Sequence, residues 1–344
     1  MTNHTKPKGA HLVGSIPFES AEDVFINVSN AMGDHIKRIP DGETGERSNW
    51  VDWQLPKLLA NPMLQKVPND AYDYTVANMV ELCPGCSSTD ITLGALGYAD
   101  AALASFATFQ TLQAEGRIPK HCRFQVSLPT PLAPTHLYVH PDLQADFEPK
   151  YEMEMLSELS AILSAIPHAN LAIQWDTAVE FALLEGVMPT YIKDLEQGIK
   201  ERLARLCAAV PDGVELGFHL CYGDSGHKHF CEPGDMTKLV GVANNICANA
   251  GRQIDWVHMP VPTDRDDAAY FAPLKDLNIQ AKTMLYLGLV HYGDGKEGTQ
   301  RRIAAAKPFA RNFGVATECG FGRRPADTLG PLMDIHAAVS SPVA

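Results

Sequence analysis

Nowhere does the sequence run apolar for long enough to cross a bilayer, and its first fifteen residues lack the apolar stretch of a secretion signal. A cytoplasmic setting is the expectation, and thiols stay reduced in that compartment. The eight cysteines then read as ligands or small buried apolar groups and not as a disulfide framework. Basic charge is scarce as well: 28 Lys and Arg stand against 41 Asp and Glu, a net charge of -13. Those basic residues are scattered, which excludes a nucleic-acid groove and an anionic-membrane patch. There is no repeat, no low-complexity tract and no linker, so one domain over residues 1–344 is expected. The oligomeric state is left open, a homo-oligomer included.

What the sequence does have is alternation. Short β-rich apolar runs occupy residues 10–14, 36–39, 122–128, 170–175, 214–218, 254–259, 284–290 and 313–317. Amphipathic stretches at 151–166, 191–210, 235–250 and 298–311 lie between them. Eight such runs with interleaved helices predict an α/β fold, a single (β/α)8 (TIM) barrel. The long stretch after the second strand, about residues 41–121, is expected to be an insertion carrying extra helices.

Barrel sites form at the C-terminal ends of the strands. Reading those exits in order gives Ser15, Asp41 with Glu43, Thr130, Asp176, His219 with Cys221, His258, His291, and Glu318 with Cys319. His219 and Cys221 are two apart, which in a strand aims both side chains to one face. Cys319 leaves another run, so one nitrogen and two sulfurs are available to a soft dication such as zinc. The chemical motive is thiol activation: an ordinary thiol is only about 3% ionised at pH 7, and a metal-bound one essentially all thiolate, a gain of roughly thirtyfold.

Other groups offer more than one reading. Glu43 and Asp176 suit a substrate ammonium or an acid–base pair, and either alone also suits a turn or helix cap. Gly14 and Ser15 form a tight turn whose amides and hydroxyl suit a substrate carboxylate. His291 is able to carry a proton, and His258 does the same or serves as a metal ligand. Arg323 and Arg324 match an anionic substrate group or merely local carboxylates. Cys83 with Cys86, and His227, His229 and Cys231, read as loop residues despite their ligand-like types.

These segments resemble the catalytic barrel of cobalamin-independent methionine synthase, in the superfamily that includes uroporphyrinogen decarboxylase. "LVGSIP" is similar to the family's opening Gly-Ser segment, and "DGETGERSNWV" to its Gly-Glu element. "IQWDTAVEFALLEG" is similar to an Ile-Gln-x-Asp-Glu-Pro-Ala element, "HLCY" to the His-x-Cys zinc motif, and "TECGFGRR" to the closing Asp-Cys-Gly segment. The resemblance implies zinc on His219, Cys221 and Cys319. It also implies an amino-acid substrate held by Glu43 and Asp176 through its amine and by Gly14 and Ser15 through its carboxylate.

The departures are specific. The family's zinc-ligating glutamate is not evident; Pro260 falls near its place and His258 close by. The Asp-Glu-Pro triplet reads Asp-Thr-Ala, the Asp-Ile-His element reads "LVHYGDG", and only the catalytic barrel is matched. The expectation is a zinc-dependent methyl or alkyl transferase acting on a homocysteine-like thiol. His258 or the incoming sulfur would fill the fourth metal position, and His291 would shuttle the proton. Two other readings stand beside it. One is a metal-independent decarboxylase or lyase binding an acidic substrate through Arg323 and Arg324, and the other is a zinc-binding protein without turnover.

Overall fold

The computed structural model describes residues 6–69, 77–226, 228–310, 312–322 and 324–343. Its centre is a curled sheet of seven strands, every neighbouring pair parallel. In chain order the strands are β1 (Arg38–Pro40), then the hairpin strands β2 (Leu64–Pro68) and β3 (Asn78–Leu82), then β4 (Arg123–Pro129), β5 (Leu171–Thr177), β6 (Glu215–Leu220), β7 (Trp256–Pro260), β8 (Met284–Val290) and β9 (Phe313–Thr317). The sheet runs β1-β4-β5-β6-β7-β8-β9, with β2 and β3 forming a separate antiparallel pair. Seven of the expected runs are therefore regular strands.

The remaining run, residues 10–14, is not. Ala10 bridges both Ile36 and Val315, and Ser15 bridges Gly42. The amides of this segment alternate between the two sheet edges: Lys8 and His11 donate to Phe313 and Val315, whereas Ala10 donates to His35. Neither edge receives consecutive ladder pairs, so no regular strand forms. The stretch after β1 also differs from the helices expected of it. It holds helices Gln54–Leu59 and Tyr98–Ala114, but also the β2–β3 hairpin.

Helices pack on the outside of the sheet for ordinary reasons. Helix Ala21–Met32 starts where Ser20 accepts from the Asp23 amide, and it buries Val24, Phe25, Val28 and Met32 at three- and four-residue spacing. Helix Pro141–Ala165 begins with proline in its first turn and buries Leu143, Phe147, Tyr151, Met155, Leu159 and Ile162 on one stripe. Against them lie Ile173, Trp175, Leu216, Phe218, Val257, Met259, Leu285 and Leu287, all essentially inaccessible. Each such side chain contributes about 1.5–3 kcal/mol on burial.

The inner face is different, being largely polar. The guanidinium of Arg38 lies 3.8 Å from the centre of the Trp256 ring and pairs with Glu215. Gln174 accepts from the Trp256 indole and bonds His11, which stacks on Tyr286. Gly217 carries no side chain because the Trp256 indole fills the space a Cβ would need. One layer higher, sheet register aligns Asp176 with His219, His219 with His258, and His258 with Tyr286. This register brings the titratable side chains of four strands together.

Candidate active site

The first corner of the site stands on β6 and β9. His219 is inside β6, Cys221 follows it by two residues, and Cys319 follows the end of β9 by two. The Cys221 and Cys319 sulfurs are 3.8 Å apart, and Cys319 Sγ lies 3.6 Å from His219 Nε2. All three donor atoms fall within 4.8 Å of one another, the one such His/Cys/Asp/Glu group among the described residues. The Gly223 amide donates to Cys221 Sγ at 3.2 Å. Contact with Cys221, and burial after it, hold the Cys319 thiol well above its ordinary range. Burial, with His258 next, keeps His219 neutral.

The second corner is made of carboxylates. Asp176 ends the inward row of β5, where Gln174 donates to its Oδ1 at 2.9 Å and the Trp50 indole donates to it as well. Burial and then the charge of Glu43 push its carboxyl well above the usual range. A cation set between Asp176 and Glu43 would relieve both effects. Glu43 and Trp50 reach the site on left-handed backbone, φ 52° and 55°. Such conformations cost non-glycine residues of order 1–3 kcal/mol and persist only where the surroundings impose them.

Here the imposing group is Asp41. It accepts from the Glu43 amide, from Ser105 Oγ and from Arg47, pinning the loop on both sides. Gly42 between them has φ 81°, and a Cβ there would lie 2.9 Å from the Ile16 carbonyl. Gly14 lies flush against the corner, its absent Cβ only 3.1 Å from Glu43 Oε1. Ser15 joins the two corners: its carbonyl accepts from the Phe321 amide at 2.7 Å, and Gly320 and Gly322 lie directly on it.

A cavity of about 600 Å³ opens between the corners. It touches Gly14, Ser15, Glu43, Asp176, His219, Cys221 and Cys319 together. Its far wall is apolar, from Leu137, Val179, Ala182, Val187 and Met188. Among the described residues its lining includes Glu43, Asp52, Asp176 and Asp224 and no lysine or arginine.

Several expected residues lie elsewhere. His258 is fully buried behind His219 and outside the group of metal donors. Its Nδ1 is 2.7 Å from His219 Nδ1, and its Nε2 donates to the Thr317 carbonyl at 2.9 Å. Both nitrogens are thus engaged, and burial lowers its pKa to about 3. His291 does not line the cavity either. Its Nε2 donates to the Val261 carbonyl, its Nδ1 meets Thr263 Oγ1, and Glu318 stands 3.6 Å away. Burial, then Arg302, lowers its pKa to about 3.

His229 spans Glu232 and Glu318. Thr130 is buried away from the cavity. Cys83 and Cys86 bracket a turn after β3, remote from the cavity lining. Arg323 and His227 lie outside the described residues. Cys122 and Cys207 are core residues whose thiols burial pushes up to about 12.

Sequence reasoning did not single out Trp50, Asp52, Asp224 or Phe230, all of which line the cavity. Trp50 was within reach: it sits in the same "DGETGERSNWV" segment as Glu43. Asp224 and Phe230 belong to an irregular loop with no periodicity to place them.

No family model matches the chain, and no curated protein does. Solved structures do. Over 98% of both chains, the fold superposes on a provisionally described vitamin-B12-independent methionine synthase from Listeria monocytogenes, with TM-score 0.60 and 14% identity. A B12-independent methionine synthase from Shewanella sp. W3-18-1, solved with selenomethionine, matches over 97% of both chains with TM-score 0.61 and 14% identity. A methyltransferase from Methanosarcina mazei matches over 97% of this chain and 94% of its own, with TM-score 0.54 and 11% identity. At such identities the likeness is one of fold: this chain has the architecture of methionine-synthase-like and methyltransferase-like proteins along nearly its whole length.

Proposed function

We propose that the chain is a zinc-dependent transferase that moves a methyl or other activated alkyl group onto the sulfur of a small, homocysteine-like amino acid. The carrying observation is the spacing of three donors from two distant parts of the chain. A tetrahedral zinc with Zn–S near 2.3 Å and Zn–N near 2.05 Å sets sulfur–sulfur at about 3.8 Å and sulfur–nitrogen at about 3.6 Å. The donors here stand 3.8 and 3.6 Å apart. His219, Cys221 and Cys319 would hold the ion, leaving a fourth position for substrate, as catalytic sites do. When bound, it supplies a Lewis-acidic centre that keeps a thiol deprotonated at neutral pH.

The protein's own residues do the rest. Asp176 and Glu43 hold the substrate ammonium, and the backbone at Gly14 with the Ser15 hydroxyl holds its carboxylate. The apolar wall of Leu137, Val179 and Met188 excludes water from the path of the alkyl donor. His291 acts as a positioning group in this reading, standing 3.6 Å from Glu318, the residue that precedes Cys319. Segment 8–16, bridged to both sheet edges, serves as the eighth strand that closes the barrel, and the setting is the cytoplasm.

The neighbours support methyl transfer in general, and the selenomethionine bound to the Shewanella protein supports a methionine-like product. An acidic substrate finds less support, because the described lining includes four carboxylates, Glu43, Asp52, Asp176 and Asp224. A bare metal store would not need the second corner.

The test is metal content together with turnover. Protein purified without chelator should carry about one zinc per chain. It should convert L-homocysteine to methionine with at least one of methyltetrahydrofolate, methylcobalamin or S-methylmethionine, read by mass spectrometry. Zinc near zero, with no methionine from any donor, would overturn the proposal.

A further inference from the structure

The three metal donors leave one buried polar group unexplained. His258 is fully inaccessible, is not among the ligands and does not touch the cavity. An imidazole held there without water needs both nitrogens paired. It has them, and the pairing runs in one direction only. A carbonyl oxygen can only accept, so the 2.9 Å contact to Thr317 puts the proton of His258 on Nε2. In the neutral ring Nδ1 is then an acceptor. The 2.7 Å contact between the two Nδ1 atoms therefore requires His219 to carry its proton on Nδ1. His219 Nε2 is left with its lone pair, and Nε2 is the atom that faces Cys319 Sγ.

We infer that His258 is the positioning residue that fixes the tautomer and ring orientation of His219, with the Thr317 carbonyl setting the direction of the whole relay. The inference rests on the metal reading above. The anchor is well chosen by the fold, because Thr317 ends β9 two residues before Cys319 and its hydroxyl donates to the Cys319 carbonyl. One strand end thus holds both a sulfur ligand directly and the nitrogen ligand through two rings. Adjacent parallel strands supply the relay, since His219 and His258 are register partners. Without the acceptor at 258, His219 would bury an unpaired N–H or flip to the tautomer whose Nε2 is protonated and cannot bind a metal.

The experiment compares zinc affinity, by competition with a chromophoric chelator, in wild type, His258→Phe and His258→Asn. Asparagine places Oδ1 where Nδ1 stood and keeps an acceptor; phenylalanine keeps the ring and removes it. The phenylalanine variant should bind zinc about 10- to 100-fold more weakly, with asparagine restoring most of the loss, as expected of an outer partner of a ligating histidine. Wild-type affinity in His258→Phe would overturn the inference.

A second readout needs no variant and no metal. In histidine-labelled wild type, long-range ¹H–¹⁵N correlations should show His219 as the Nδ1–H form and His258 as the Nε2–H form. The opposite form at His219 would overturn the inference even if the phenylalanine variant did not fold. Wild-type protein that takes up no zinc would overturn the metal reading, in an arm separate from either histidine test.

Discussion

The two corners of the cavity are held by opposite means. His219 stands in β6 in register with Asp176 and His258, Cys221 and Cys319 leave the ends of β6 and β9, and none of the three has left-handed backbone. Glu43 and Trp50 ride a loop with two left-handed residues, kept in place by Asp41 and by the close approach of Gly42 to the Ile16 carbonyl. One corner derives its precision from the sheet; the other depends on local interactions that offset backbone strain. In the proposed reaction the sheet positions the sulfur, and the loop positions the amino acid that bears it.

Breaking the corners one at a time separates them. The largest effect is expected from Cys319→Ala, which removes a ligand: zinc should fall from about one per chain to under a tenth, by elemental analysis, with a cooperative melt retained. Asp176→Asn should leave zinc in place while raising KM for the amino-acid thiol about 10- to 100-fold, the range of a charge-assisted hydrogen bond in a closed site. Trp50→Phe keeps the ring and deletes the donor to Asp176. A rise in KM of about tenfold is expected, again without loss of metal.

The finest change is in pH dependence. Asp176 titrates above the usual carboxylate range because of burial and the charge of Glu43. Ammonium binding should therefore strengthen as pH rises through that elevated titration. In Glu43→Gln a like charge is gone, so the rise should begin at lower pH, read from KM against pH. A variant in either corner that damages both functions equally would erase the distinction between them.

The same contrast explains what the sequence made legible. His219 and Cys221 could be read because strand period converts spacing into direction, and Cys319 because it follows the exit of another apolar run. Asp176 was legible likewise, as the exit of a run that proved to be β5. Trp50 was within reach only as a sequence neighbour of Glu43, since its approach to Asp176 depends on left-handed backbone that no periodicity announces. Run 10–14 looked like the other seven, but its amides serve two edges in turn, a tertiary arrangement with no local signature. The sequence leaves His258 open between a proton carrier and a metal ligand. Its type and position suit a ligand, and only the 2.7 Å contact to His219 shows that its ring packs behind that residue.

The central claim is tested most directly by zinc K-edge absorption on the wild-type protein, recorded with and without L-homocysteine. The expected first shell is two sulfurs, one imidazole nitrogen and one light atom, with a third sulfur replacing the light atom when the thiol is added. A shell unchanged by saturating thiol would contradict the account.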